Sequence, residues 1–195
     1  MQPMRDDLEE ILITEQQIQQ RMDALALEIQ REYAAKDLTL VAVLTGSVMF
    51  IADLLRRLPM RLRFDYIGVS SYHGETRSTG DLIVTKALTL DVRGHDVLVV
   101  DDILDTGLTL VKIREMILKL QPRSLKFGVF LEKDVPHHEG FQAHFVGFRI
   151  PNKFVVGYGL DYQERYRNLP YVGTLKAAVT ARGSPRRPAM RSLSR

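Results

Sequence analysis

Apolar residues recur at helical spacing from Ile18 through Met22 and Leu25 to Ile29, which predicts an amphipathic helix running to about Tyr33. Thr14, followed three residues later by Gln17, has the form of a capping box that would open it. The pattern then changes. Leu38–Leu44 is a short continuous apolar run, as expected of a strand buried on both faces. Thr45-Gly46-Ser47 turns the chain into a second predicted helix, residues 48–57, and residues 61–71 alternate through Leu62, Phe64 and Tyr66 like a strand. Residues 72–81 (YHGETRSTGD) are polar with two glycines and nothing to bury, which predicts a mobile loop. Residues 97–100 read as another buried strand. Residues 108–120 read as a helix with Leu110, Ile113, Ile117 and Leu120 on one face. Strands are expected at 124–131, 144–148 and 154–156. This alternation predicts an α/β fold, a mostly parallel sheet with helices on both faces, whose ligands bind at the carboxyl ends of the strands.

Composition narrows the class. A chain of 195 residues, 45% hydrophobic and 26% charged, is expected to form one domain with an ordinary globular core. The longest stretch without a charge, residues 38–52, has 15 residues, short of the ~20 that span a bilayer. Four acids and no apolar run in residues 1–10 argue against a secretory signal. Cysteine is absent, which removes disulfides, thiol nucleophiles and Cys-based zinc sites. A cytoplasmic location is therefore expected. The net charge of +3 belongs to the end of the chain: residues 181–195 hold five arginines and no acid, and without them 22 basic residues face 24 acidic ones. The expected division is a domain over residues 1–180 and a basic, disordered, solvated tail over 181–195. The domain has no general nucleic-acid signature.

The chemistry concentrates in residues 97–109, VLVVDDILDTGLT. Four apolar residues form a strand that is expected to end where Asp101 and Asp102 begin. Asp105, Thr106, Gly107 and Thr109 follow in a turn before the helix. Hydroxyls, a glycine and the backbone N–H groups of a helix N-terminus make a phosphate cradle. Paired carboxylates suit a polyol such as ribose, or a divalent cation with oxygen ligands. The plainer reading is an N-capped helix with Asp105 or Thr106 as the cap, which accounts for one acid rather than three. Competing motifs are missing: the five histidines form no HExxH, and neither GxxxxGK[ST] nor GxGxxG occurs.

This segment resembles the phosphoribosyl-diphosphate signature of the type I phosphoribosyltransferases. LTGSVMF (44–50) is similar to that family's diphosphate loop, and SSYHGETRSTGD (70–81) to its mobile loop with a Ser-Tyr pair. KFVVGYGLDYQERYRNLPYVG (153–173) looks like the base-binding hood of its hypoxanthine phosphoribosyltransferases, a small subdomain completed by the N-terminal segment. The resemblance implies transfer of a 5-phosphoribosyl group from phosphoribosyl diphosphate to hypoxanthine or guanine, giving IMP or GMP and diphosphate, with Mg²⁺ as cofactor.

It implies roles residue by residue. Asp101 and Asp102 would bind the ribose hydroxyls, and Asp105, Thr106, Gly107 and Thr109 the 5-phosphate, with Asp105 also the catalytic base toward purine N7. Thr45, Gly46, Ser71, Tyr72 and Arg167 would hold diphosphate. Lys133 would donate to the purine 6-oxo group, Phe154 would stack on the ring, and Val155 would read its edge with Asp161 nearby. Asp161, Asp101 and Asp102 would serve Mg²⁺. Two positions depart from the family pattern: Thr45 stands where lysine or arginine is common, and Asp101 where glutamate is usual. The resemblance also implies a homodimer or homotetramer, with no membrane and no nucleic-acid partner. A pyrimidine-attenuation regulator that binds RNA on the same fold, and a catalytically silent module, are the alternatives.

Overall fold

The structure, a computed structural model, describes residues 4–71 and 82–182. The capping box forms as expected. The Thr14 amide donates to Gln17 Oε1 at 2.8 Å, the Gln17 amide donates to Thr14 Oγ1 at 3.3 Å, and helix α1 runs Glu15–Tyr33. It buries Ile18, Met22, Leu25 and Ile29 completely. Strand β1 (Leu8–Ile13) precedes it. Then come β2 (Leu38–Leu44), α2 (Val48–Leu55), β3 (Leu62–Ser71), β4 (Leu82–Lys86), β5 (Asp96–Leu104), α3 (Leu108–Leu118), β6 (Ser124–Lys133), β7 (Phe145–Ile150), β8 (Val172–Leu175) and α4 (Ala177–Arg182).

Six strands form one sheet in the order β4-β3-β2-β5-β6-β7, parallel throughout except for the antiparallel edge strand β4. Each inner strand feeds both layers. Leu98 and Val100 of β5 pack with α1 and α2, whereas Val97 and Val99 pack with Leu110, Val111, Ile113 and Ile117 of α3. A separate two-stranded sheet pairs β1 with β8, from opposite ends of the domain, over a small core of Leu8, Val156, Tyr166 and Leu169.

The strand order reverses between β2 and β5. The chain leaves β2 through α2 for β3 on one side, and the later strands are laid on the other. Ligand crevices of open α/β sheets form at such a switch point, outside the carboxyl ends of the strands.

Several boundaries differ from the sequence expectation. β5 does not stop at Val100. Its ladder with β2 ends at the Ala42–Val100 pair, but its ladder with β6 continues to Leu104–Glu132, so Asp101 and Asp102 lie within the strand. Residues 154–156 form no strand and contribute one bridge, Val156 to Gly173. β7 begins one residue later than expected and runs on to Ile150, and β6 runs on to Lys133. α3 ends at Leu118, just before Gln121 enters the left-handed region at φ 57°, and α2 ends at Leu55 rather than at 57. The expected mobile loop, including Tyr72, lies outside the described residues, as does the tail from residue 183. The expected domain boundary at 180 falls inside α4.

Candidate active site

Where the β2–β5 ladder ends, the two strands part and a cleft of about 910 Å³ opens. The turn after β2 (Leu44, Thr45, Gly46) lines one wall, and Asp101–Leu110 line the floor. Phe154, Asp161 and Arg167 close it from the side of the β1–β8 sheet. Thr45 is exposed at the rim, and the Leu44–Thr45 peptide bond is cis. Ser47 turns inward instead, donating to the Val43 carbonyl at 2.5 Å. Gly46 lies directly against the acidic pair: a β-carbon there would fall 1.6 Å from Asp102 Oδ2. Only glycine admits that approach.

Asp101 is buried and Asp102 half-buried, and each carboxylate accepts an N–H from the residue after it, Asp102 N at 2.9 Å and Ile103 N at 2.8 Å. Burial pushes the Asp101 carboxyl well above the usual carboxylate range, and the neighbouring charge of Asp102 adds to it. Burial raises Asp102 as well, opposed by its contacts with Asp101 and the backbone and by the positive charge of Arg167. Two adjacent desolvated acids at a cleft floor form a site suited to hydroxyl donors or a cation.

Helix α3 starts at Gly107, φ 83°, and no side chain caps it. The reading of Asp105 or Thr106 as a helix cap is therefore overturned. Asp105 instead points to the end of β6, where Lys133 Nζ meets its Oδ2 at 2.5 Å. Lys133 belongs to β6 rather than to a loop after it. The Thr106 carbonyl accepts from the His138 amide at 2.7 Å, which ties the turn to the segment after β6.

Arg167 holds the other wall. Its guanidinium bonds the Gly159 carbonyl at 2.9 Å, Asp161 Oδ1 at 2.8 Å and Glu164 Oε2 at 3.0 Å. Phe154 is 57% exposed, with its ring edge-on to Tyr162 at 5.8 Å, while Val155 is buried behind it. Thus the cleft collects Thr45, Gly46, Asp101, Asp102, Asp105, Thr106, Gly107, Thr109, Phe154, Asp161 and Arg167. Lys133 reaches it through Asp105. Val155 does not line it, and Ser71 is the last residue of β3.

Among the described residues no three His, Asp or Glu side chains converge as a metal cage. Mg²⁺ does not require one, since it is commonly held by one or two carboxylates with waters and substrate phosphates. Asp101, buried, and Asp102, half-buried beside it, fit that donor set. No helix among the described residues is long and apolar enough to cross a membrane. Two features of the site lay outside the sequence expectation: the Lys133–Asp105 pair, and Gly159, whose carbonyl holds Arg167.

Fold and cleft together define an α/β protein with a phosphosugar-type site at the switch point of its sheet. The chain belongs to the phosphoribosyl transferase domain family, whose model matches residues 9–163. Its sheet and helices match the type I phosphoribosyltransferase fold. It is 44% identical over 176 residues to a hypoxanthine-guanine phosphoribosyltransferase of Staphylococcus aureus, an alignment covering 90% of this chain and 98% of that one. A crystal structure of a hypoxanthine phosphoribosyltransferase from the same species superposes with a TM-score of 0.86 at 44% identity, covering 92% and 98% of the two chains. A hypoxanthine-guanine phosphoribosyltransferase from Bacillus anthracis, with HEPES in its active site, gives 0.82 at 38% identity, covering 87% and 99%. The RNA-regulator alternative draws no support from these relatives.

Proposed function

We propose that the protein transfers the 5-phosphoribosyl group of phosphoribosyl diphosphate to hypoxanthine or guanine, giving IMP or GMP and diphosphate. The observation that carries this reading is the Lys133–Asp105 pair. An ammonium and a carboxylate oxygen 2.5 Å apart present a donor beside an acceptor. That pattern complements the 6-oxo group and the adjacent N7–H of a 6-oxopurine. Adenine presents a 6-amino group there, which cannot accept from an ammonium.

Asp101 and Asp102 would bind the ribose hydroxyls, with Asp105, Thr106, Gly107 and Thr109 around the 5-phosphate at the N-terminus of α3. Thr45, Gly46, Ser71, Tyr72 and Arg167 are assigned to diphosphate. Phe154, exposed at the cleft, would stack on the purine, and the Val155 backbone would lie along its edge. In the reaction the bond from the sugar carbon to diphosphate breaks, its electron pair leaving with diphosphate, while a purine nitrogen bonds that carbon. The proton lost from the ring goes to Asp105. Asp101 and Asp102 would hold Mg²⁺, with Asp161, on the Arg167 side of the cleft, as a further contact, and the ion would neutralise charge on the diphosphate.

A cytoplasmic location belongs to the same reading, as does assembly as a homodimer or homotetramer. Phe64 on β3 and Ile83 on β4, 42% and 43% exposed, offer apolar surface for a second copy. The test of function is nucleotide formation from phosphoribosyl diphosphate and Mg²⁺, with hypoxanthine, guanine, xanthine, adenine and uracil offered separately. Turnover with hypoxanthine and guanine but not adenine is expected. Turnover with adenine or uracil alone would overturn the assignment.

A further inference from the structure

Behind the cleft a buried tyrosine joins three elements that the reaction must keep in register. Tyr158 follows the purine-facing residues 154–155 and donates its hydroxyl to Asp53 Oδ2 of α2 at 2.6 Å. Its ring lies 4.6 Å from that of Phe130 on β6, three residues before Lys133. Asp53 Oδ1 is taken by Arg56, so the two oxygens of this buried carboxylate serve different partners.

The backbone around the tyrosine is unusual. Gly157, Tyr158 and Gly159 all have positive φ, at 100°, 49° and 102°. A tyrosine held in the left-handed region is strained and persists only where its surroundings over-determine it. Those surroundings are the cleft walls. The Tyr158 amide donates to the Leu169 carbonyl at 2.8 Å, and the Gly159 amide to the Arg167 carbonyl at 2.9 Å. A β-carbon on Gly159 would fall 2.0 Å from the carbonyl oxygen of Gly46, and one on Gly46 would strike Asp102. An unbroken line of close contacts therefore runs from Asp53 through Tyr158, Gly159 and Gly46 to Asp102.

We infer that Tyr158 and Asp53 are a positioning pair, which fixes the purine-facing segment against the turn after β2 and so sets the alignment of the two reactants. The inference rests on the activity proposed above. Neither residue lines the cleft, so neither touches substrate. They act through Gly159, which bears on Gly46, and through Arg167, whose guanidinium is anchored on the Gly159 carbonyl. Burial and the adjacent Asp53 carboxylate keep the phenol protonated, so it remains a donor at any working pH. Misplacement of reacting groups by about 1 Å is enough to lower a rate on the order of 100-fold. A freed hydroxyl with the ring still packed on Phe130 should give part of that loss.

The test compares Tyr158→Phe, Asp53→Ala, Asp53→Asn and the double variant Tyr158→Phe/Asp53→Ala in steady-state nucleotide formation and thermal unfolding. Tyr158→Phe is expected to lower kcat roughly tenfold, with KM raised for both the purine and phosphoribosyl diphosphate. Its melting temperature should move by only about 2–4 °C, the shift expected from one lost hydrogen bond. Asp53→Asn keeps an acceptor for the hydroxyl and should retain most of kcat. Asp53→Ala should not, and the double variant should be no slower than the worse single variant. Wild-type kcat and KM in Tyr158→Phe would overturn the inference, as would equal losses in Asp53→Asn and Asp53→Ala. Absence of turnover in the wild type would instead refute the proposed activity.

Discussion

The carboxylates that build the sheet differ from those that line the cleft. In the sheet body and on the helix packed against it, Asp96, Asp65 and Glu32 are each met by a cation. Asp96, buried at the start of β5, accepts from Ser124 Oγ at 2.6 Å and from Arg123 at 3.1 Å. Asp65 on β3 accepts from Lys86 Nζ at 2.7 Å and from the amides of Thr89, Leu90 and Tyr66 at 2.6, 3.0 and 2.8 Å. Glu32 at the end of α1 bonds Lys126 and Lys36, which hold its pKa down to about 2. In the cleft, Asp101 and Asp102 sit beside each other and their ionisation is disfavoured. Satisfied acids stabilise a fold, and acids left facing one another weaken it.

The largest expected effect is on turnover. Asp105→Ala should reduce kcat on the order of 100-fold or more while shifting the melting temperature by only a few degrees, because the side chain is 47% exposed in a polar turn. Steady-state kinetics beside calorimetry would separate the two, and an unchanged kcat would remove Asp105 from catalysis.

Next comes stability. Asp65→Ala strips the buried carboxylate from the half-buried Lys86 and from three amides, and should destabilise by about 3 kcal/mol. Burial opposes ionisation of Asp65, but Lys86 and the amides outweigh it and hold the carboxyl below the usual carboxylate range. A carboxyl with a lowered folded pKa contributes stability that is full above its unfolded value, near 4, and is lost as pH falls through the folded one. Chemical denaturation of the wild type from pH 6 downward should show that loss, and the Asp65→Ala variant should show less of it.

The smallest effect has the opposite sign. Asp101→Asn replaces a buried carboxyl whose ionisation is disfavoured with a neutral amide that still accepts the Asp102 N–H, and should stabilise the free protein by about 1 kcal/mol at neutral pH. Denaturant midpoints would measure it. A destabilised variant would place Asp101 with the acids of the sheet body and dissolve the comparison.

How much of this was legible in the sequence follows from the range of each interaction. α1 and β2 could be read because their signals are local: a capping box, a 3.6-residue stripe, a continuous apolar run. The segment from Asp101 to Thr109 was legible because its residues are consecutive and line one cleft. The resemblance placed the N-terminal segment in the hood, but its pairing as β1 with β8 was not predicted, because Leu8 and Leu175 find each other only in three dimensions. Residues 154–156 looked like a strand because Phe154, Val155 and Val156 are apolar. In fact Phe154 faces outward at the cleft, Val155 and Val156 are buried, and a single bridge to Gly173 takes the place of a ladder. β5 continued past its first acid because β6 still offered it a partner there. Asp53 and Tyr158, 105 positions apart, carry no local pattern that joins them.

The most direct test of the claim that the cleft acids serve a ligand is calorimetric titration of phosphoribosyl diphosphate with Mg²⁺ into the wild type and into Asp101→Asn/Asp102→Asn. The account predicts saturable binding to the wild type and its loss in the double variant, which should remain folded and be no less stable. Equal binding to both proteins would contradict it.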